Sequence, residues 1–466
     1  MSTHVVEVES RTAQGPGPKA GQAIILGLGR VGVSVARYLL SRGVAVLAYD
    51  DDPEVGGREM VQALEHDRDF RRVARADLAG LDADFVVASP GIPDDAEIIR
   101  LLRGQGRRVI DELELGFEEV GRKIVAVTGT NGKSTTTVLL GEMLRQAGRN
   151  VFYGGNLAPG RPFSAALREE PKELYVLEVS SFQLERCERF APKVGLLLNV
   201  APDHLNRHRT LERYLDIKLS LFKNQAPDDF AVINLDDGLI QARRADIRST
   251  LRTFSLVRGE ADARLTGDVL RYRDEPVIRA GELRLPGRHN VANALAATCA
   301  ARILGAGVEA VAHVLRTFSG LEHRLELVKE AGGVRFINSS MTTNPTAAIH
   351  ALQAFEAPVV LITGGREKGL PVEDYLRAIV RHTRLTILMG ENRQKLHDGL
   401  RQLGYAQTRI AENLEGAVHL ARELSQPGDV VLFSPGFASF DAYRDFQERG
   451  QAFRDAVGQE FEESAC

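Results

Sequence analysis

The sequence has no tryptophan among its 466 residues and only three cysteines, Cys187, Cys299 and Cys466. Three cysteines cannot all pair with one another, and none stands at metal-ligand spacing from the next. That excludes a disulfide scaffold and a cysteine-built zinc site, and it fits a reducing compartment. No apolar run approaches the roughly 20 residues that cross a bilayer. The polar, Gly- and Pro-punctuated start (Met1 to Gly21) lacks the apolar centre of a secretion signal and reads as a flexible tail over 1–20. Membrane insertion is therefore not expected, and the cytoplasm is the expected location. Basic residues are not in excess: a formal net charge of −4 gives no overall reason to expect a nucleic-acid partner. Repeats at solenoid period and low-complexity tracts are also missing. At 44% hydrophobic and 26% charged the composition is that of an ordinary globular chain. A prior of roughly 150 residues per domain suggests about three domains.

What is present is a phosphate cradle. The apolar run Lys123 to Val127 reads as a buried strand. Thr128-Gly129-Thr130-Asn131-Gly132-Lys133-Ser134-Thr135 follows, and then an apolar-periodic helix from Thr136 to Gln146. In such a strand–loop–helix the glycines let backbone N–H groups close on phosphates. Lys133 reaches the terminal phosphate, and the Ser134 hydroxyl can sit on Mg²⁺. Val127 stands where the general G-x-x-x-x-G-K-[ST] pattern has its first glycine. ATP is the expected ligand.

A second glycine-rich turn lies nearer the N-terminus. The apolar run Ala23 to Leu26 leads into Gly27-Leu28-Gly29-Arg30-Val31-Gly32, a helical pattern from Val33 to Leu40, and a strand Val44 to Tyr49 that ends at Asp50. This satisfies the dinucleotide fingerprint, including an acidic residue about 20 positions on. A nicotinamide dinucleotide fits it, and so does the diphosphate of a UDP-sugar. The ATP loop favours the latter, since a dehydrogenase has no use for one. Further strands are expected at Asp84 to Ala88, Leu174 to Val179, Val194 to Leu198, Phe230 to Ile233, Pro358 to Thr363, Thr386 to Met389 and Val430 to Phe433. Strands alternating with helical segments predict an α/β protein with parallel, doubly wound sheets.

Several side chains fall at strand ends, where open α/β sheets bind ligands. Glu178 closes one apolar strand, and its carboxylate can complete the coordination of Mg²⁺ held by Ser134 and phosphate oxygens. Asp203 and His204 follow another. Lys218 lies in the helical pattern Leu211 to Phe222; taken by itself, a helix lysine reads as a solvated surface charge.

The variant loop TGTNGKST resembles the ATP loop of the Mur ligase and folylpolyglutamate synthase superfamily. GLGRVG, ASPGIP, GGNLA, LEVSSFQLE, LNVAPDHLNRH, the lysine of YLDIKLSLF, GRHNVANALAA, GLEHRLE and TGGREKG add to the likeness. With the ending SPGFASFDAYRDFQERG they resemble the glutamate-adding members of the Mur ligase family over nearly the whole chain after the tail. A UDP-type first domain disfavours folylpolyglutamate synthase. The resemblance implies three domains: a Rossmann-like UDP-binding domain over 21–116, a P-loop-type central ATP-binding domain over 117–320, and a Rossmann-like amino-acid-binding domain over 321–466. The implied activity is ATP-dependent ligation of D-glutamate to UDP-N-acetylmuramoyl-L-alanine through an acyl phosphate, in peptidoglycan precursor synthesis, by a monomer.

By the same resemblance Arg30 and Val31 would face the diphosphate, Asp50 the uracil and Ser89 the nucleotide, with Asn156 reaching the sugar portion. Gly129, Thr130, Asn131, Gly132, Lys133, Ser134, Thr135, Asn293 and Arg324 would hold ATP. Of two Mg²⁺ ions, Ser134 and Glu178 would ligate one, and His204 with a carbamylated Lys218 the other. Thr343, Lys368, Ser439, Phe440 and Phe446 would meet the incoming glutamate. Lys133, Glu178, His204 and Lys218 would carry the catalysis.

The family string N-D-S-K-A-T-N here reads Asn338-Ser339-Ser340-Met341-Thr342-Thr343-Asn344, and two of its departures bear on the ligand sites. By the resemblance Ser339 replaces an acid near the nucleotide and Met341 a lysine near the glutamate, with Arg366 a candidate substitute cation. A ligase of the same architecture adding L-glutamate or another amino acid therefore stays open. So do an NAD-dependent oxidoreductase resting on Gly27 to Asp50, and a nucleotide-gated binding protein.

Overall fold

The computed structural model describes residues 21–157, 160–285, 287–355, 357–367 and 371–462. The expected tail over 1–20, Lys368 and Cys466 lie outside the described residues. The chain divides into two compact units at Phe318/Ser319, and the first unit carries two sheets.

The first sheet is built from β1 (Gln22–Leu26), β2 (Ala45–Tyr49), β3 (Phe70–Arg72), β4 (Phe85–Ala88) and β5 (Val109–Ile110), in the order β3-β2-β1-β4-β5. All its neighbours are parallel. Buried Ala23 to Leu26 form a continuous apolar run, the pattern of a strand covered on both faces.

The second sheet holds β6 (Ile124–Thr128), β7 (Val151–Gly155), β8 (Leu174–Glu178), β9 (Val194–Leu197), β10 (Phe230–Asn234), β11 (Thr250–Ser255), β12 (Ala263–Thr266), β13 (Val269–Tyr272) and β14 (Glu275–Arg279). Its order is β14-β13-β12-β11-β10-β9-β6-β8-β7. From β7 to β12 the pairs are parallel. The edge β12-β13-β14 is antiparallel, which the parallel reading of the sequence did not anticipate. The links Gly267-Asp268 and Arg273-Asp274, with Gly267 and Arg273 at positive φ, are too short for a crossover and allow only hairpins. Behind β6 the helix Lys133–Gln146 and the alanine-rich helix Arg288–Ile303 pack with Val125, Val127, Leu139 and Leu140 in one core.

The second unit has β15 (Glu326–Ala331), β16 (Val334–Asn338), β17 (Val359–Thr363), β18 (Thr383–Leu388), β19 (Thr408–Ile410) and β20 (Val430–Phe433), in the order β15-β16-β20-β17-β18-β19. Of the pairs between these strands, β15/β16, turned at Gly332-Gly333, is antiparallel and the others are parallel.

Candidate functional site

The loop after β6 is held open by its own sheet. Thr130 donates its N–H to the Asn199 carbonyl at 2.9 Å, and Asn131 donates to the Asn199 side chain at 2.8 Å. Gly132 caps the helix Lys133–Gln146 at φ +83°, a left-handed conformation suited to glycine. A Cβ there would also stand 2.2 Å from the Asn293 side-chain oxygen, so Asn293 sits directly against the loop. Lys133 folds over the loop and donates to the Gly129 and Thr130 carbonyls, both at 2.9 Å. Thr135 lies in the first helical turn.

Parallel pairing sets Glu178, the last residue of β8, beside Val127 of β6. Its buried carboxylate accepts from the Ser134 hydroxyl at 2.6 Å and from the Asn156 amide at 3.0 Å. A hydroxyl and a carboxylate side by side at a phosphate cradle are the oxygen donors a hard divalent cation takes. Among the described residues no group of three or more His, Cys, Asp or Glu could hold a metal by itself. Water, phosphate oxygens or a modified side chain would have to complete the set.

Lys218 is not the surface charge that its helix position suggests: only 1% of it is exposed. Its ammonium nitrogen donates to the Gly129 carbonyl at 2.8 Å and lies 4.5 Å from the centre of the Tyr214 ring. Burial, and then the Lys133 charge, push its pKa down to about 6; Asp203 and Glu178 pull it back less strongly. Lys218 therefore loses its proton far more readily than an exposed lysine. His204, at φ +52°, caps the short helix Leu205–His208, with its Nε2 3.4 Å from Asp203. Its ring meets Phe182 at 4.9 Å and the edge of Tyr214 at 6.5 Å. Tyr214 thus touches both residues expected at the second ion, and its hydroxyl lies 3.4 Å from Thr130 Oγ1.

Tyr214 was not singled out in the sequence, nor was its neighbour His208, which is buried and stacked on it at 5.2 Å. His208 Nε2 meets the Ser181 hydroxyl at 3.0 Å, and its Nδ1 faces Glu185 at 3.2 Å. Burial lowers the His208 pKa. LNVAPDHLNRH and YLDIKLSLF contain both residues; only their packing marks them out.

In the first sheet the Asp50 carboxylate accepts the Leu28 N–H at 2.6 Å and the Asp52 N–H at 2.9 Å, closing the glycine turn. Arg30 and Val31 open the helix Arg30–Ser41. The Arg30 guanidinium donates to the carbonyls of Gly160 at 2.7 Å and Leu157 at 3.2 Å, beside Asn156 in the loop after β7. Ser89 follows β4.

In the second unit three loops meet at the carboxyl ends of β16, β20 and β17. Gly436 donates to the Thr342 carbonyl at 2.9 Å, and Arg366 and Ala438 exchange backbone hydrogen bonds at 3.0 and 3.1 Å. Arg449 lies buried behind them, donating to the Ser340 and Phe437 carbonyls at 3.0 and 3.1 Å. Thr343, buried Ser439 and the 60%-exposed Phe440 stand on these loops. Phe446 opens the helix Phe446–Glu462, its carbonyl accepting from Ser340 at 2.8 Å. Arg324 is half-buried in the Leu321–Arg324 bridge of the same unit. Met341 lies at the same edge, donating its N–H to the His323 carbonyl, while Arg366 pairs with Glu391 at 2.9 Å. Lys368 lies outside the described residues.

A phosphate-cradle α/β domain preceded and followed by doubly wound sheets defines a multidomain nucleotide-binding protein. The sequence matches the MurD-like Mur ligase N-terminal domain over 21–111, the Mur ligase middle domain over 127–301 and the Mur ligase glutamate ligase domain over 323–437. It is 40% identical to the UDP-N-acetylmuramoylalanine–D-glutamate ligase of Pelotomaculum thermopropionicum, over 94% of this chain and 97% of the relative. Against the ligase of the same name from Caldanaerobacter subterraneus the identity is 38%, over 94% and 98%. The fold resembles the UDP-N-acetylmuramate-alanine ligase of Thermotoga maritima, with a TM-score of 0.57 at 20% identity over 95% and 100% of the two chains. It also resembles the MurF ligase of that organism in complex with ADP, at TM-score 0.55 and 18% identity, over 96% of each chain. The chain belongs to the Mur ligase family, whose members are ATP-dependent ligases. Among the described residues no helix is long and apolar enough to cross a membrane.

Proposed function

We propose that this chain joins D-glutamate to UDP-N-acetylmuramoyl-L-alanine at the expense of ATP, as a cytoplasmic monomer. The observation that carries the reading is the buried Lys218 against the phosphate cradle, its amine 2.8 Å from the Gly129 carbonyl, in a chain with a relative at 40% identity named for that reaction. The loop from Gly129 to Thr135, Asn293 and Arg324 hold ATP. Arg30, Val31, Asp50, Ser89 and Asn156 receive the UDP-sugar. Thr343, Lys368, Ser439, Phe440 and Phe446 receive glutamate.

Ser134 and Glu178 would hold one Mg²⁺, and His204 with Lys218 a second, each ion supplying charge neutralisation at phosphate oxygens. Lys218 suits that task once carbamylated: its neutral amine bonds to the carbon of CO₂ and releases a proton, leaving an anionic oxygen ligand. The L-alanyl carboxylate then bonds to the γ-phosphorus of ATP as the bond to the β-phosphate oxygen breaks, giving an acyl phosphate and ADP. Lys133 holds the charge on the transferring phosphoryl oxygens. The glutamate amine bonds to the acyl carbon and loses a proton, and phosphate departs.

ADP and phosphate should form at equal rates only when ATP, Mg²⁺, the UDP-sugar and D-glutamate are all supplied, and the product should gain one glutamyl residue by mass. Turnover without the UDP-sugar would reject the ligase reading.

Met341 favours a second reading in which amino-acid selection differs. With a methionine where the family string has a lysine, Arg366 is the candidate replacement cation. Its pair with Glu391 is half-exposed on both sides and so cheap to break. Arg366→Ala should raise the KM for glutamate about tenfold, the scale of one charged hydrogen bond, and leave the KM for ATP unchanged. A preference for L- over D-glutamate in the parent protein would overturn the substrate while keeping the ligase mechanism.

A further inference from the structure

The turn that follows β4 lies directly over the glycine turn of the first sheet. Gly27 has φ +92°, and a Cβ on it would stand 2.7 Å from the Ser89 Cβ. Two guanidiniums from the segments that follow β8 and β9 of the second sheet grip this turn by its carbonyls. Arg186, just past the short helix Ser181–Leu184 and buried to 2% exposure, donates to the Ser89 carbonyl at 3.0 Å, to the Ile92 carbonyl, and to Asp94 at 3.2 Å. Arg207, in the helix Leu205–His208, donates to the carbonyls of Ile92 at 3.0 Å, Gly91 at 3.3 Å and Pro90 at 3.4 Å.

Arg207 is itself fixed. Glu185 accepts from it at 2.5 and 3.2 Å, and the Phe182 ring packs 4.9 Å from its guanidinium carbon. Holding a turn against a neighbouring domain needs no buried charge, since apolar contacts do it without the desolvation of a cation. What a guanidinium adds is direction: its fixed fork of donors dictates where several carbonyls point at once. Four consecutive carbonyls, Ser89 to Ile92, accept from these two guanidiniums, and the Ser89 hydroxyl lies 3.5 Å from where a Cβ on Gly27 would stand.

We propose that Arg186 and Arg207 are positioning residues of the sugar-nucleotide site, shaping the Ser89–Ile92 turn over Gly27, with Glu185 setting Arg207. The inference rests on the first sheet being the UDP site. It also makes that site depend on the helix capped by His204, so one short element serves both the UDP-sugar and the phosphoryl-transfer centre.

Direct binding of UDP by calorimetry tests this without requiring turnover. Arg207→Met and Arg186→Met should each weaken UDP binding about tenfold or more, with ATP affinity kept within twofold. Arg207→Lys should recover part of the loss, because it restores the charge without the fork. In turnover the KM for the UDP-sugar should rise while kcat at saturation changes less than threefold. Asp94 keeps its contact with Arg103 at 2.7 Å when Arg186 is replaced. If either methionine variant fails to fold, Glu185→Gln decides by the same criterion at a severalfold loss. UDP affinity within twofold of the parent in the folded variants would overturn the proposal. A parent that binds ATP but not UDP would overturn the UDP-site reading itself, and the clamp with it. A parent that binds both yet makes no glutamyl product would reject the ligase assignment and leave the clamp standing.

Discussion

Lys133→Ala should lose phosphoryl transfer by about 10³-fold or more while keeping its fold. Removing a single neutral donor from a site of developing charge costs about 10²–10³ in kcat, and Lys133 supplies a full charge to the group that moves. Its ammonium is engaged with the Gly129 and Thr130 carbonyls. The side chain is only half-buried, so water can take over those acceptors and the melting temperature should move by a few degrees at most. A second consequence follows from the electrostatics. The Lys133 charge is one of the two causes that depress the Lys218 pKa, so removing it should let that pKa rise from about 6. Lys218 in the variant would then need a higher pH to become a neutral amine. The fraction carrying CO₂, read by ¹³C NMR with labelled bicarbonate, should titrate at higher pH than in the parent. Near-normal kcat in Lys133→Ala would remove the loop from the mechanism.

Much of this arrangement was legible in the sequence because it rests on buried parallel strands. Such strands are covered on both faces and read as unbroken apolar runs. Leu174 to Glu178 and Val430 to Phe433 fall within one residue of their expected bounds, and their ends locate the ligand edge. The hairpins β12 to β14 were missed because their strands are short, carry arginines on one face and lie at an edge; their two-residue links show only as isolated Gly-Asp and Arg-Asp pairs. The clamp was illegible for a different reason. Arginines are expected at the surface, and nothing local separates buried Arg186 from the exposed Arg189 a few residues on. What differs is the partner, a turn of carbonyls distant in sequence. Lys218 shows the same limit: its helix position gives a surface charge, and only the fold brings it under Gly129.

Lys218→Arg should be close to inactive, with kcat down by about 10³-fold. Guanidinium keeps the positive charge but cannot become a carbamate. It would leave a cation where an anionic oxygen is needed, at a site already flanked by Lys133. Lys218→Ala should be less severe in one respect: short carboxylic acids can place an oxygen anion in the vacated space and restore part of the rate. The pH dependence gives an independent check. Protonation blocks reaction with CO₂, so parent activity should fall as pH drops through about 6. The contribution of Lys218 to stability should run the same way, over a higher pH range. The folded pKa lies below the unfolded value of 10.5, so between about 6 and 10.5 the unfolded chain binds the extra proton and folding is penalised. In CO₂-free buffer Lys218→Met, similar in length and uncharged, should therefore be more stable than the parent. Its advantage should be largest below pH 6 and should vanish above about 10.5. A stable, inactive Lys218→Met would place this residue among those kept for chemistry at a cost to the fold. If Lys218→Arg retains most activity, or Lys218→Met melts below the parent across that range, the lysine is structural and the carbamate is not used.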